Sequence, residues 1–76
     1  MDRDRILRIV KDILKLEKLP SENDTQETLK QWDSLSHLHL VMTLEKEFNV
    51  RFPMTVIPDL ISIENIESEL EKLNVQ

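Results

Sequence analysis

Apolar residues fall along this chain in three blocks of helical period, separated by two stretches in which the period is lost. In the first block Ile6, Ile9, Val10, Ile13 and Leu16 recur every third or fourth residue, with Arg5, Arg8, Asp12 and Lys15 opposite them. That stripe predicts an amphipathic helix from Arg3 to about Lys18. Asp2 is of a type that caps the first amides, Lys15 and Lys18 suit the carbonyl end, and Pro20 stops the segment. Residues 19–32 are mostly polar, with Leu29 and Trp32 as late anchors. They predict a long ordered loop with room for a short helical turn.

The second block opens at Asp33-Ser34, both good capping types, and runs to Phe48, where Asn49 can adopt the left-handed conformation that ends helices. Spacing its residues about 100° apart separates two apolar stripes. Leu40, Val41, Leu44 and Phe48 form one; Leu35, Leu38 and Met42 form another, roughly opposite and close to His39 and Lys46. One stripe can face a core, so the other lines a groove or lies open to a partner. Pro53 and Pro58 then limit any helix within residues 54–61 to one or two turns. Ser62 can cap a last helix with Ile63, Ile66, Leu70 and Leu73 on one face and Glu64, Glu67, Glu69 and Glu71 around the rest. The prediction is an all-α fold: a small four-helix bundle of three longer helices and one short one, a single domain over residues 1–76.

Composition narrows the chemistry. A 39% apolar share over 76 residues suffices for one small core and excludes a two-domain enzyme. The chain has no Gly and no Cys, which removes glycine-rich phosphate loops, thiolate metal sites, disulfides and cysteine nucleophiles. The net charge of −5 is uneven: residues 1–30 carry seven basic and seven acidic side chains, residues 31–76 three and eight. That balance argues against nucleic acid and for basic protein surfaces as partners. No apolar run is long enough to span a membrane, and the start lacks the apolar segment of a signal peptide, so the expected compartment is the cytoplasm.

Catalytic constellations are thin. His37 and His39 are two residues apart and point about 200° apart on a helix, which makes no shared metal site. Ser34, His37 and Asp33 could be assembled into a hydrolytic set, but oxyanion donors and a water-excluding cleft are lacking. What stands out is Ser34 at a helix start after a long loop, where an anionic phosphodiester would meet free amides and the positive end of the dipole. Taken alone, a serine there is most often only a cap.

Asp33-Ser34-Leu35 opening a helix that continues Leu-Val-Met-Thr-Leu-Glu-Lys-Glu-Phe through Leu40–Phe48, then an extended stretch and Pro53, resembles the acyl carrier proteins. The resemblance spans nearly the whole chain. It implies 4′-phosphopantetheine, taken from coenzyme A and joined to Ser34 by a phosphopantetheinyl transferase, with Asp33 flanking. The chain would then be a substrate that carries acyl groups as thioesters between a loading ligase or transferase and synthase enzymes, not an enzyme itself. Fatty acid, polyketide and dedicated secondary pathways all use such carriers. The absence of cysteine fits an imported thiol. Leu35 and Met42 match positions that meet partner enzymes, with Leu38 between them. Leu38, Ile57 and Leu60 are candidates either for a groove that shelters cargo or for plain core. Trp32 reads as a packing anchor, His37 as a hydrogen-bonded residue on the core side, and His39 as exposed.

The chain departs from the family where Gln31-Trp32 replaces a small residue and where Ser36, His37 and His39 stand in place of acidic ones. Glu45, Glu47 and Asp59, with Asp33, remain to meet basic partner patches. That thinned acidic surface favours a dedicated carrier, expected as a monomer, over one serving a housekeeping synthase. An unmodified helical interaction module and a peptidyl or aminoacyl carrier stay open as alternatives.

Overall fold

A computed structural model describes residues 3–74, folded as α1 (Arg3–Leu14), α2 (Ser34–Phe48), a 3₁₀ helix (Ile57–Asp59) and α3 (Ile63–Asn74). This is the expected all-α bundle, its short third helix reduced to a single 3₁₀ turn with Pro58 inside it. The expected cap Asp2 lies outside the described residues.

The first helix is shorter than its periodicity predicts. It ends at Leu14, and Lys15 turns left-handed with φ 56°. The Leu16 N–H then reaches back to Lys11 O at 2.9 Å, the six-residue closure that typifies a left-handed helix end. In that closure the residue after the left-handed one folds back toward the apolar face, and Leu16 packs against the core. Leu16 therefore keeps the helical period without being helical, and Pro20 is not what stops α1. Asn49 ends α2 in the same way, with φ 54° and the Val50 N–H returning to Glu45 O at 3.0 Å.

The core is drawn from all three α-helices and the connections: Ile6, Val10 and Leu14 of α1, Leu40, Val41 and Leu44 of α2, Ile63, Ile66 and Leu70 of α3, with Trp32, Phe52 and Leu60 from between them. Burying a large aliphatic side chain contributes roughly 1.5–3 kcal/mol, so this shared cluster is what holds the helices together. Ser62 caps α3 through its hydroxyl, which accepts the Asn65 N–H at 3.0 Å. Arg3 pairs with Glu67 and Glu22, tying α1 to α3 and to the loop at the surface.

The long connection from α1 to α2 is ordered by short polar side chains, as a glycine-free loop requires. Asp24 accepts from the Ser21 N–H and the Thr28 hydroxyl, and Thr25 accepts from the Glu27 N–H. Such local bonds satisfy backbone groups that no helix or sheet pairs. An antiparallel bridge between Thr25 and Ser62 pins the loop to the start of α3, with Gln26 N–H on Ile61 O at 2.7 Å and Ile63 N–H on Asp24 O at 3.1 Å.

Candidate functional site

The start of α2 is fixed by Asp33. Its backbone is extended (φ −94°, ψ −175°), its carboxylate accepts the Ser36 N–H at 2.8 Å, and its carbonyl accepts the His37 N–H at 2.8 Å. The Ser36 amide, and after it the Ser36 hydroxyl, hold the Asp33 carboxyl below the usual carboxylate range. Ser34 is thereby the first residue of the helix, exposed, with its hydroxyl bonded to no described residue. Its own amide is likewise open, as the first amides of a helix must be unless capped, while the Leu35 N–H is turned toward the Asp33 carboxylate and helps hold it ionised.

Immediately before and behind this serine the chain is tied down by burial and side-chain hydrogen bonds. Trp32 is buried, and its indole Nε1 donates to His37 Nδ1 at 2.9 Å. An indole N–H can only donate, so Nδ1 is the acceptor and the His37 proton sits on Nε2. Nε2–H then donates to Ile57 O at 2.8 Å. One imidazole joins the end of the loop, the first turn of α2 and the 3₁₀ helix. It also disposes of the hydrolytic set considered for Ser34, His37 and Asp33: both ring nitrogens are spent, leaving no base for the hydroxyl. Among the described residues there is also no group of three His, Cys, Asp or Glu that could hold a metal.

The two stripes of α2 separate in space. Leu40, Val41 and Leu44 are buried and Phe48 is half-buried, its ring lying 4.7 Å under the Arg5 guanidinium. Leu35, Leu38 and Met42 are 79%, 53% and 60% exposed, with His39 and Lys46 exposed beside them. Met54 is 85% exposed on the segment that returns along α2. Nothing in the sequence singled out Met54, because it lies where periodicity is lost. Of the three residues weighed as groove or core, Leu60 is core, Ile57 is half-buried against it and Leu38 is open. An open cleft between the loop and α3 is lined by Thr25, Gln26, Ile61 and Asn65, and none of those three residues borders it.

The acidic candidates divide. Glu45 is half-buried, and its carboxylate accepts the Phe52 N–H at 2.8 Å, holding the returning segment against α2. Glu47 pairs with Arg5 at 3.3 Å, and its carbonyl accepts from the same guanidinium at 2.7 Å. Both therefore have work inside the fold. Asp59 is exposed on the 3₁₀ helix, near the first turns of α2 through the His37–Ile57 bond.

This geometry is that of a small helical scaffold with an accessible serine hydroxyl at the start of α2. The family model described as a phosphopantetheine attachment site matches residues 4–70, and the chain belongs to that family. It is a carrier protein of the kind to which 4′-phosphopantetheine is covalently attached. No characterised protein in the comparison with curated sequences matches the chain.

The residues present fit such a group. A phosphodiester on Ser34 would lie beside the open Ser34 amide and the positive end of the α2 dipole, with room in solvent for a long arm.

Proposed function

We propose that Ser34 is the residue that bears the arm and that the chain, a single monomeric carrier domain, carries acyl groups as thioesters between cytoplasmic biosynthetic enzymes. One observation carries this reading: within a chain of the phosphopantetheine family, Ser34 opens α2 with an exposed hydroxyl that the fold uses for nothing else. The group, when bound, supplies the thiol that a cysteine-free chain lacks. Ser34 Oγ forms the bond to phosphorus, the nucleotide part of coenzyme A leaves, and the hydroxyl proton passes to a base that the transferase provides, since His37 is engaged elsewhere. Asp33 holds the serine at the helix start. Leu35, Leu38 and Met42, with Asp59 at the near end, form the surface that the loading transferase, ligases and synthases meet. A dedicated pathway fits the replacement of early acidic positions by Ser36, His37 and His39 better than a housekeeping fatty acid or polyketide synthase does.

Incubation with coenzyme A, Mg²⁺ and a broad-specificity phosphopantetheinyl transferase, followed by peptide mapping, tests the assignment. One arm on Ser34 is expected, and none on Ser34→Ala, which should keep its fold within about 0.5 kcal/mol because Asp33 still caps the helix. An arm on Ser21, Ser36, Ser62 or Ser68 overturns it.

A further inference from the structure

Ser34 stands on the same side of α2 as the exposed apolar stripe. At about 100° per residue, Leu38 follows it by about 40° around the helix and Met42 by about 80°, and the helical rise places Met42 about 12 Å along the axis. Leu35, Leu38 and Met42 are each more exposed than buried. Glu45 borders the stripe on one side, its carboxylate turned to the Phe52 amide, and His39 and Lys46 border it on the other. The stripe between them is aliphatic, and it begins at the residue next to the serine. The core beside it is shut. Leu40, Leu44 and Leu60 are fully buried, and His37 ties the first turn of α2 to the 3₁₀ helix through Ile57 O, with the buried Trp32 bonded to its other ring nitrogen. A hydrocarbon chain entering between α2 and the 3₁₀ helix would break the His37–Ile57 bond, leave a donor and an acceptor without partners and displace packed side chains. The same chain laid along Leu35, Leu38 and Met42 breaks no bond.

We propose that an aliphatic acyl chain carried on Ser34 lies outside the core, on Leu35, Leu38 and Met42, so that the carrier covers its own apolar stripe with its cargo. A group tethered by a short flexible linker reaches an effective concentration of about millimolar, so even a weak apolar contact holds it in place for much of the time. The contact grows with the chain, because each further methylene laid on the stripe removes more apolar surface from water. A short or polar acyl group gains little there and leaves the stripe bare. The proposal rests on the reading of the chain as an acyl carrier loaded at Ser34.

The test uses the full chain with isotope-labelled Met and Leu methyl groups, loaded from acetyl- or decanoyl-coenzyme A by a broad-specificity phosphopantetheinyl transferase, and compares the methyl NMR spectra of the two loaded forms. Relative to the acetyl form, the decanoyl form should shift the methyls of Leu35, Leu38 and Met42 and show nuclear Overhauser contacts from them to the acyl chain, while the methyls of Leu44 and Leu60 stay where they were. Leu38→Gln, once loaded with the decanoyl arm, should lose at least half of the Met42 shift. Contacts from the chain to Leu44 or Leu60 place it in the core and overturn the proposal. So do identical spectra of the two forms, which leave the chain in solvent, a full Met42 shift in Leu38→Gln, and stripe shifts accompanied by a doubled sedimenting mass, which assign the face to a second copy. Peptide mapping of the same samples separates these outcomes from failure of the reading beneath: no arm on Ser34 overturns that reading and this proposal with it.

Discussion

Trp32 Nε1 donates to His37 Nδ1 at 2.9 Å, and the two rings lie 6.1 Å apart and 27° from parallel. The last residue but one before Ser34 is thus locked to the first turn of α2, and through His37 Nε2 to Ile57. The serine stands in the open on a backbone braced from behind.

Removing that brace should cost stability. His37→Leu keeps an apolar body but leaves the Trp32 N–H and the Ile57 carbonyl without their partner, and an unsatisfied buried group costs about 1–3 kcal/mol. Trp32→Phe removes the donor and also shrinks a buried ring, so it should cost at least as much. Urea unfolding followed by far-UV circular dichroism compares both with the parent. A His37→Leu variant as stable as the parent would mean the bond contributes nothing net.

The two faces of α2 should part on mutation. Leu44 is fully buried, and Leu→Ala in a core costs about 2–5 kcal/mol, close to the whole stability of a domain this size. Leu44→Ala should melt early or fail to fold. Leu35→Ala and Met42→Ala, on the exposed stripe, should melt within a few degrees of the parent and show their effect in loading kinetics. Equal losses from all three would mean that the stripe is packed in solution.

Acid should remove the contribution of the Asp33 cap. The folded state holds this carboxyl below its unfolded value, so the stabilisation is complete above about pH 4, the unfolded range, and fades as pH falls through the lower folded value. Asp33→Asn keeps a capping oxygen but loses the charge. The parent should therefore melt above the Asn variant at pH 7 and at pH 5, and the gap should narrow progressively as pH falls below about 4. A gap that does not change on acidification would assign it to something other than ionisation.

Lys15→Gly should stabilise the chain. Lys15 sits at φ 56°, a conformation that burdens a side-chain-bearing residue by roughly 1–2 kcal/mol and Gly hardly at all. Allowing for the greater freedom of Gly in the unfolded chain, a gain of about 1 kcal/mol is expected. Asn49→Gly should gain less, because Asn tolerates φ 54° better. Thermal melts of the two variants settle the order.

Much of this architecture is written in local pattern. The stripes of Ile6, Ile9 and Val10, of Leu40, Val41 and Leu44, and of Ile63, Ile66 and Leu70 are each set by helical period, and the ends of α2 by the chemistry of Asp33 and Asn49, so neighbours in sequence suffice to place them. The same holds for Ser34 as the first residue of α2. The end of α1 could not be read this way, since Leu16 preserves the apolar period after the helix has stopped. What only the tertiary structure decided is where polar groups far apart in sequence spend their bonding capacity. Glu45 looks in the sequence as available to a partner as any glutamate on a helix, yet it is committed to the Phe52 amide, and Glu47 to Arg5. His37 gives up both nitrogens, one to Trp32 and one to Ile57. Periodicity reports which face of a helix is apolar, because burial there depends on spacing along one element. The partner of a single charged or hydrogen-bonding side chain depends on which other element the packed core brings within 3 Å or so, and that is fixed only when the helices assemble.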